Sequence, residues 1–243
     1  MGKIRKSGGY RTLATFQTST IIYDATVWFT EKFLNARSRT MDQIVQAARS
    51  GRQNIAEGSR AAATSSQTEL RLVNVARASL EELLLDYEDF LRHRRLEQWP
   101  LNSTEARAVR NVPKKLREDR SDQSDLTDLT DRERYALYAE WLEHDDPAVR
   151  ANALICLIHQ TNFLLDQQIA ALEEQFVSEG GYSEQLATER LKERNRKKGG
   201  DTIPYCPKCK KPMMLRTARS GHNEGKSFWG CSAYPDCRSV VAV

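Results

Sequence analysis

Apolar residues recur at helical spacing over four long stretches of the chain. In ATFQTSTIIYDATVWFTEKFLNA, residues 14–36, Ile22, Ala25, Phe29 and Phe33 make one stripe, widened by Ile21 and Trp28, which argues for an amphipathic helix. TMDQ follows as a capping-box pattern, with Thr40 as N-cap and Gln43 reaching back. A second helix runs from there through Met41, Ile44, Val45, Ala48 and Ile55 to about Ala61. Ser66 and Glu69 form another capping box and open a third helix, near-heptad at Leu70, Val73, Arg77, Leu80, Leu84, Tyr87 and Leu91, ending near the basic cluster Arg92 to Arg95. The fourth begins at Asp146 as N-cap with Pro147 in the first helical position. It continues through Leu154, Ile158, Leu165, Ile169, Leu172 and Phe176 until Gly180 and Gly181 stop it. Such helices need one another's apolar faces, and the economical arrangement is an all-α antiparallel four-helix bundle over residues 15–181.

Between helices three and four, residues 102–145 form an insertion. Two short helices are expected in it, Ser103 to Leu116 and Thr130 to Glu143, with capping signals Asn102/Glu105 and Thr130/Glu133. They flank DRSDQSDLTDLTD, an acidic linker read as solvated. Residues 1–14 are a basic tail. Residues 182–202, which include ERLKERNRKKGG, are a charged helix extension running into a glycine hinge. Residues 203–243 have a different character.

Charge marks the same division. From Arg190 to the end there are thirteen Lys and Arg against four Asp and Glu, a net of +9, whereas the whole chain carries +4. The preceding residues are therefore net acidic, about −5 by the same count. With 40% hydrophobic residues the chain can support a core. No apolar run approaches the ~18 residues of a spanning helix, and the basic N-terminus lacks the apolar region of a secretory signal. A cytoplasmic protein without membrane contact is expected.

Four of the five cysteines, Cys206, Cys209, Cys231 and Cys237, fall in the order C-x2-C-x21-C-x5-C within a segment too short and polar to fold on an apolar core alone. Disulfides would staple a secreted segment. In a reducing cytosol, four clustered thiolates are better explained by one structural zinc per chain, closed by its four protein ligands. Pro207 and Lys208 fit a tight knuckle between the first pair, and Pro235 a wider turn between the second. Cys156, alone in ALICLIHQ, reads as a buried core thiol.

The stretch YCPKCKKPMMLRTARSGHNEGKSFWGCSAYPDCRSVV resembles the C-terminal zinc ribbons of type IA topoisomerases, with a CPxC knuckle, a strand at Met213 to Arg216, Gly221, and FWGCS-x-YP-x-CR. The resemblance implies binding of single-stranded DNA. The strand-cleaving tyrosine of those enzymes lies in a much larger body absent here, so it implies no topoisomerase activity. Lys210 departs from the pattern: it stands where glycine often follows the second cysteine, which strains that turn without removing a ligand. Physical chemistry gives the same function independently. Aromatics Tyr205, Phe228, Trp229 and Tyr234 among Lys208, Lys210, Lys211, Arg216, Arg219, Lys226 and Arg238 offer stacking faces and phosphate cations, a combination suited to unpaired strands, DNA or RNA, with little sequence preference. Aromatics in so small a module also form its core. Trp229 and Tyr234 are expected to be the exposed pair, with Phe228 open between stacking and packing. His222, in SGHNEG, is read as a turn residue.

The helices carry a second resemblance. RSGRQNIAEG, residues 49–58, and ARASLEELLLDYEDFL, residues 76–91, are similar to the paired signatures of the four-helix-bundle proteins encoded in ribosomal-RNA intervening sequences, a family that includes the accessory variability proteins of diversity-generating retroelements. This likeness implies a homo-oligomer, a five-fold ring in that family, and contact with a nucleic-acid-processing enzyme such as a reverse transcriptase. Its motif residues here are Arg49, Asn54, Glu57 and Gly58, the first three read as members of a helix-end or subunit-interface hydrogen-bond network.

Catalysis is the weakest reading. None of the four histidines follows a glutamate by three residues, as in di-metal bundles, and there is no phosphate loop, nucleophile elbow or HExxH. The acidic residues Glu81, Glu82, Asp86, Glu88 and Asp89 read as a solvated helix face. The expectation is a non-enzymatic nucleic-acid-binding protein, with a protein-partner accessory factor as the alternative.

Overall fold

A computed structural model describes residues 9–35, 39–119, 129–180, 182–197, 203–218, 220 and 224–242. The chain divides into two compact units, Met1–Tyr182 and Ser183–Val243, and each has a hydrophobic core of its own.

In the first unit the apolar stripes become four long helices, α1 (Ala14–Phe33), α2 (Arg39–Ala61), α3 (Ser66–His93) and α7 (Pro147–Glu179). Helix α1 packs against α2 and α7, and α3 against the same two. Contacts fix the sense of three of these pairings. A Cβ at Gly51 of α2 would fall 2.8 Å from Leu80 of α3, and one at Gly58 would meet Val73 at 3.4 Å, so α2 and α3 run antiparallel. Arg77 of α3 pairs with Asp166 of α7 and, one turn on, Asn162 donates to Glu81 at 3.0 Å. Thr15 meets Gln168 near one end of α1, while Lys32 meets Asp145, just before α7, near the other. The centre is aromatic. Phe29 sets its ring against Tyr87 and Phe90 at 5.2 and 4.9 Å, and the buried Tyr87 hydroxyl donates to Thr26 Oγ1 at 3.0 Å. At Gly51 the two helices leave no room for a side chain, since a Cβ there would displace Leu80.

The insertion is folded onto this core. Helix α4 (Thr104–Asp119) packs on α7 with Ala106, Val109 and Val112 buried, and Gln160 of α7 donates to the Arg110 carbonyl at 2.9 Å. Buried Asn152 ties down the preceding loop, accepting from Trp99 N–H at 2.7 Å and donating to the Glu97 carbonyl at 2.9 Å. Helix α5 (Asp131–Ala136) starts at the Thr130/Glu133 capping box and packs on α1, where Tyr135 meets Trp28 edge-on at 4.7 Å. The single helix expected over residues 130–143 is broken after Ala136. A separate turn, α6 (Ala139–Leu142), follows, leaving Tyr135, Tyr138 and Leu142 all buried. Most of the acidic linker, residues 120–128, lies outside the described residues.

Helix starts shift by one residue where neighbouring side chains all offer a capping oxygen. Ser65, with extended backbone, caps α3 through Thr68 N–H, in place of Ser66. Ser103 Oγ accepts from Ala106 N–H at the start of α4, in place of Asn102. Helix α2 already includes Thr40, which therefore sits in its first turn. Asp146 and Pro147 open α7 as their pattern predicts. Among the described residues no helix is long and apolar enough to cross a membrane.

The second unit contains α8 (Tyr182–Lys197), a charge-rich helix, and a three-stranded antiparallel sheet in the order β1 (Met213–Thr217), β2 (Ser227–Cys231), β3 (Val240–Ala242).

Candidate metal centre and nucleic-acid interface

Each cysteine pair is held by a turn that the local sequence dictates. In the first, Lys210 N–H bonds to the Cys206 carbonyl at 2.9 Å and Cys206 N–H to the Lys211 carbonyl at 2.8 Å, folding Pro207 and Lys208 into the tip. Closing that turn puts Lys210 at φ 59°, the left-handed region that favours glycine. A lysine there carries a cost of about 1–2 kcal/mol relative to an unstrained position, which is the departure from the ribbon pattern visible in the sequence. In the second pair, Cys231 ends β2, and Cys237 N–H donates to the Ala233 carbonyl at 2.9 Å, curling residues 231–237 back on themselves.

These turns bring Cys206, Cys209, Cys231 and Cys237 together, with all four sulfurs within 4.8 Å of one another. The Cys206–Cys237 and Cys209–Cys231 sulfurs stand 3.7 and 3.3 Å apart, far beyond a disulfide bond. A tetrahedron with metal–sulfur bonds of ~2.3 Å has edges of about 3.8 Å, so the donor set and its size fit one zinc ion. Within the cluster the Cys209 backbone N–H lowers the Cys206 thiol to about 6, whereas at Cys231 the Ala233 N–H is outweighed by burial and by the three neighbouring thiols, which raise it to about 12. Cys156 stands apart in α7, where burial pushes its thiol up to about 11, as befits a core residue.

Strand register sorts the remaining side chains. Met213 pairs with Cys231 and Leu215 with Trp229, while Trp229 also faces Val241. This face points at the metal site. Trp229, only 9% exposed, packs there with Cys206, Met213 and Cys231. The expectation that Trp229 is an exposed stacking residue is therefore corrected: alternation along β2 places it on the same face as ligand Cys231. Trp229→Ala should destabilise the ribbon by about 3–5 kcal/mol and weaken zinc retention, as for other buried aromatics. Zinc release to a chromogenic chelator measures this, and a variant that held zinc as firmly as the wild type would return Trp229 to the surface.

The opposite face carries Arg216, Phe228, Gly230 and Val240. Phe228 is half-buried, and Arg216 is exposed with its guanidinium carbon 5.6 Å from the ring centre of Tyr234, itself 58% exposed. Tyr205, Lys208, Lys226 and Arg238 are also exposed. Arg219 and His222 lie outside the described residues.

Residues 203–243 match the family model of the topoisomerase DNA-binding C4 zinc finger. No curated protein and no solved structure matches the chain. The C4 zinc finger accounts for all four clustered cysteines and for the three-stranded sheet, with exposed Arg216 on β1 and the other exposed cations in the segments flanking the strands. That family is a DNA-binding one by its description.

Of the residues singled out on α2, Asn54 and Gly58 lie towards α3. Asn54 donates to the Ser50 carbonyl and hydroxyl at 2.9 and 3.1 Å, and the Ser50 hydroxyl meets that of Ser79 on α3 at 2.9 Å. Gly58 is buried against α3, whereas Arg49 and Glu57 are exposed. Of the three polar residues expected in one network, Asn54 is thus found in the α2–α3 seam. The structural role of Gly51 had no comparable signal beyond a small residue inside a helical pattern. Gly230 was visible in the sequence only as part of FWGCS.

Proposed function

We propose that the protein is a non-enzymatic, cytoplasmic nucleic-acid-binding protein whose C4 zinc finger holds single-stranded DNA or RNA with little sequence preference. The observation that carries this reading is the match of residues 203–243 to a DNA-binding zinc finger whose four cysteines converge as one metal site. The exposed Arg216, Tyr234 and neighbouring lysines support it, because stacking accepts any base while cations meet phosphate. Zinc is structural here, for four protein ligands leave no position for water or substrate. Strand binding by the full chain, compared with a chain ending at Tyr182, tests the assignment.

In this reading α1, α2, α3 and α7 are an antiparallel four-helix bundle that acts as a scaffold. The resemblance to the intervening-sequence family rests on RSGRQNIAEG and ARASLEELLLDYEDFL. A homo-oligomer, in that family a five-fold ring, would bring several zinc fingers to one strand and raise avidity ~10²–10⁴-fold without new contacts. Either reading gives the first unit a protein contact. That contact is either a second copy or, in the alternative reading, a reverse transcriptase or other nucleic-acid-processing enzyme. The mass of the protein in solution separates these: an oligomer is expected, and a monomer would favour the partner enzyme.

A further inference from the structure

The outer face of the sheet has a feature that general basicity does not explain. Arg216 and Phe228 are direct cross-strand partners, and Gly230 is the next residue of the central strand β2 on that face. A Cβ on Gly230 would lie 3.3 and 3.4 Å from Arg216 Cδ and Nε, and 3.7 Å from the Phe228 ring. The arginine stem therefore lies across the bare backbone of Gly230, beside Phe228, and carries its guanidinium towards Tyr234. No carboxylate among the described residues pairs with Arg216.

Resting on the single-strand reading above, we propose that Arg216 is a base-stacking residue. Its guanidinium, which starts beside Gly230 and lies 5.6 Å from the Tyr234 ring centre, offers a flat face that receives an unpaired nucleobase. The guanidinium is flat, delocalised and weakly hydrated, so it stacks on aromatic planes as an ammonium cannot. Unpaired bases are commonly held on arginine planes as well as on aromatic rings. Gly230 is a positioning residue in this scheme: it touches no base, but its missing side chain leaves room for the Arg216 stem.

The test uses the full, zinc-loaded chain with two probes of equal length, an oligothymidylate and an abasic strand with the same number of phosphates. Arg216→Lys keeps the charge and loses the plane. It should bind the oligothymidylate about tenfold more weakly, the loss expected for one stacked base, while binding the abasic strand as the wild type does and keeping the same salt dependence. Gly230→Ala should reproduce that selective loss with zinc retained; because Arg216 is exposed, its lysine variant decides the matter even if Gly230→Ala fails to fold. Equal losses on both strands, or no loss on either, would make Arg216 a phosphate cation or a bystander and overturn the stacking role while leaving strand binding in place. Wild-type protein that bound neither strand would refute the nucleic-acid reading itself, and the stacking role with it.

Discussion

Cys231→Ser is expected to take zinc from one ion per chain to almost none and to unfold the sheet while leaving the first unit helical. Cys231 closes β2, sits 3.3 Å from the Cys209 sulfur, and belongs to the same small cluster as Cys206, Met213 and Trp229. That cluster is too small to hold three short strands alone, so folding and metal binding must be one equilibrium. Structural zinc sites of this kind carry about 10–16 kcal/mol of apparent binding free energy, far more than the apolar contacts left behind. The core of the first unit shares no buried residue with that cluster. Metal analysis together with far-ultraviolet circular dichroism should show lost zinc and nearly unchanged helix; undiminished zinc would remove Cys231 from the ligand set.

The other large effect concerns the strand itself. Removing everything after Tyr182 discards the C4 zinc finger and the strongly basic end of the chain, leaving a net acidic protein that single strands should avoid. In the full chain, Lys208, Lys210, Lys211, Arg216, Lys226 and Arg238 are exposed cations on the zinc-finger unit. If about five of them meet phosphates, each neutralised phosphate contributes ~0.7 to the salt slope, and affinity should fall about 100-fold for a fourfold rise in salt. Acidification should also release the strand, because protons compete with zinc for the four thiolates and the finger unfolds when they win.

Much of this was legible because some demands fall on residue type and spacing. A tetrahedral thiolate site needs four cysteines on two turns, and the C-x2-C and C-x5-C spacings announce both. Helical period likewise exposes the stripe at Ile22, Ala25 and Phe29, all buried. The start of α3 was displaced by one residue because Thr64, Ser65 and Ser66 can each cap, and only backbone conformation chooses among them. The break between α5 and α6 leaves no composition signal. Trp229 is the instructive miss. Its aromatic character invited a surface role, yet it lies two residues from ligand Cys231, and a strand's period of two puts both on one face. What spacing does not disclose is contact across strands: the approach of Arg216 to Gly230 depends on the β1–β2 register, which only the fold establishes.

Under the proposed function the C4 zinc finger, not the helical unit, holds the nucleic acid. Its most direct test is to titrate one labelled single strand with the full chain and with the chain ending at Tyr182, side by side over a range of salt. The full chain should bind with steep salt dependence while the shortened chain shows no measurable binding. Equal affinity of the two would place the binding surface on the helices and contradict the account.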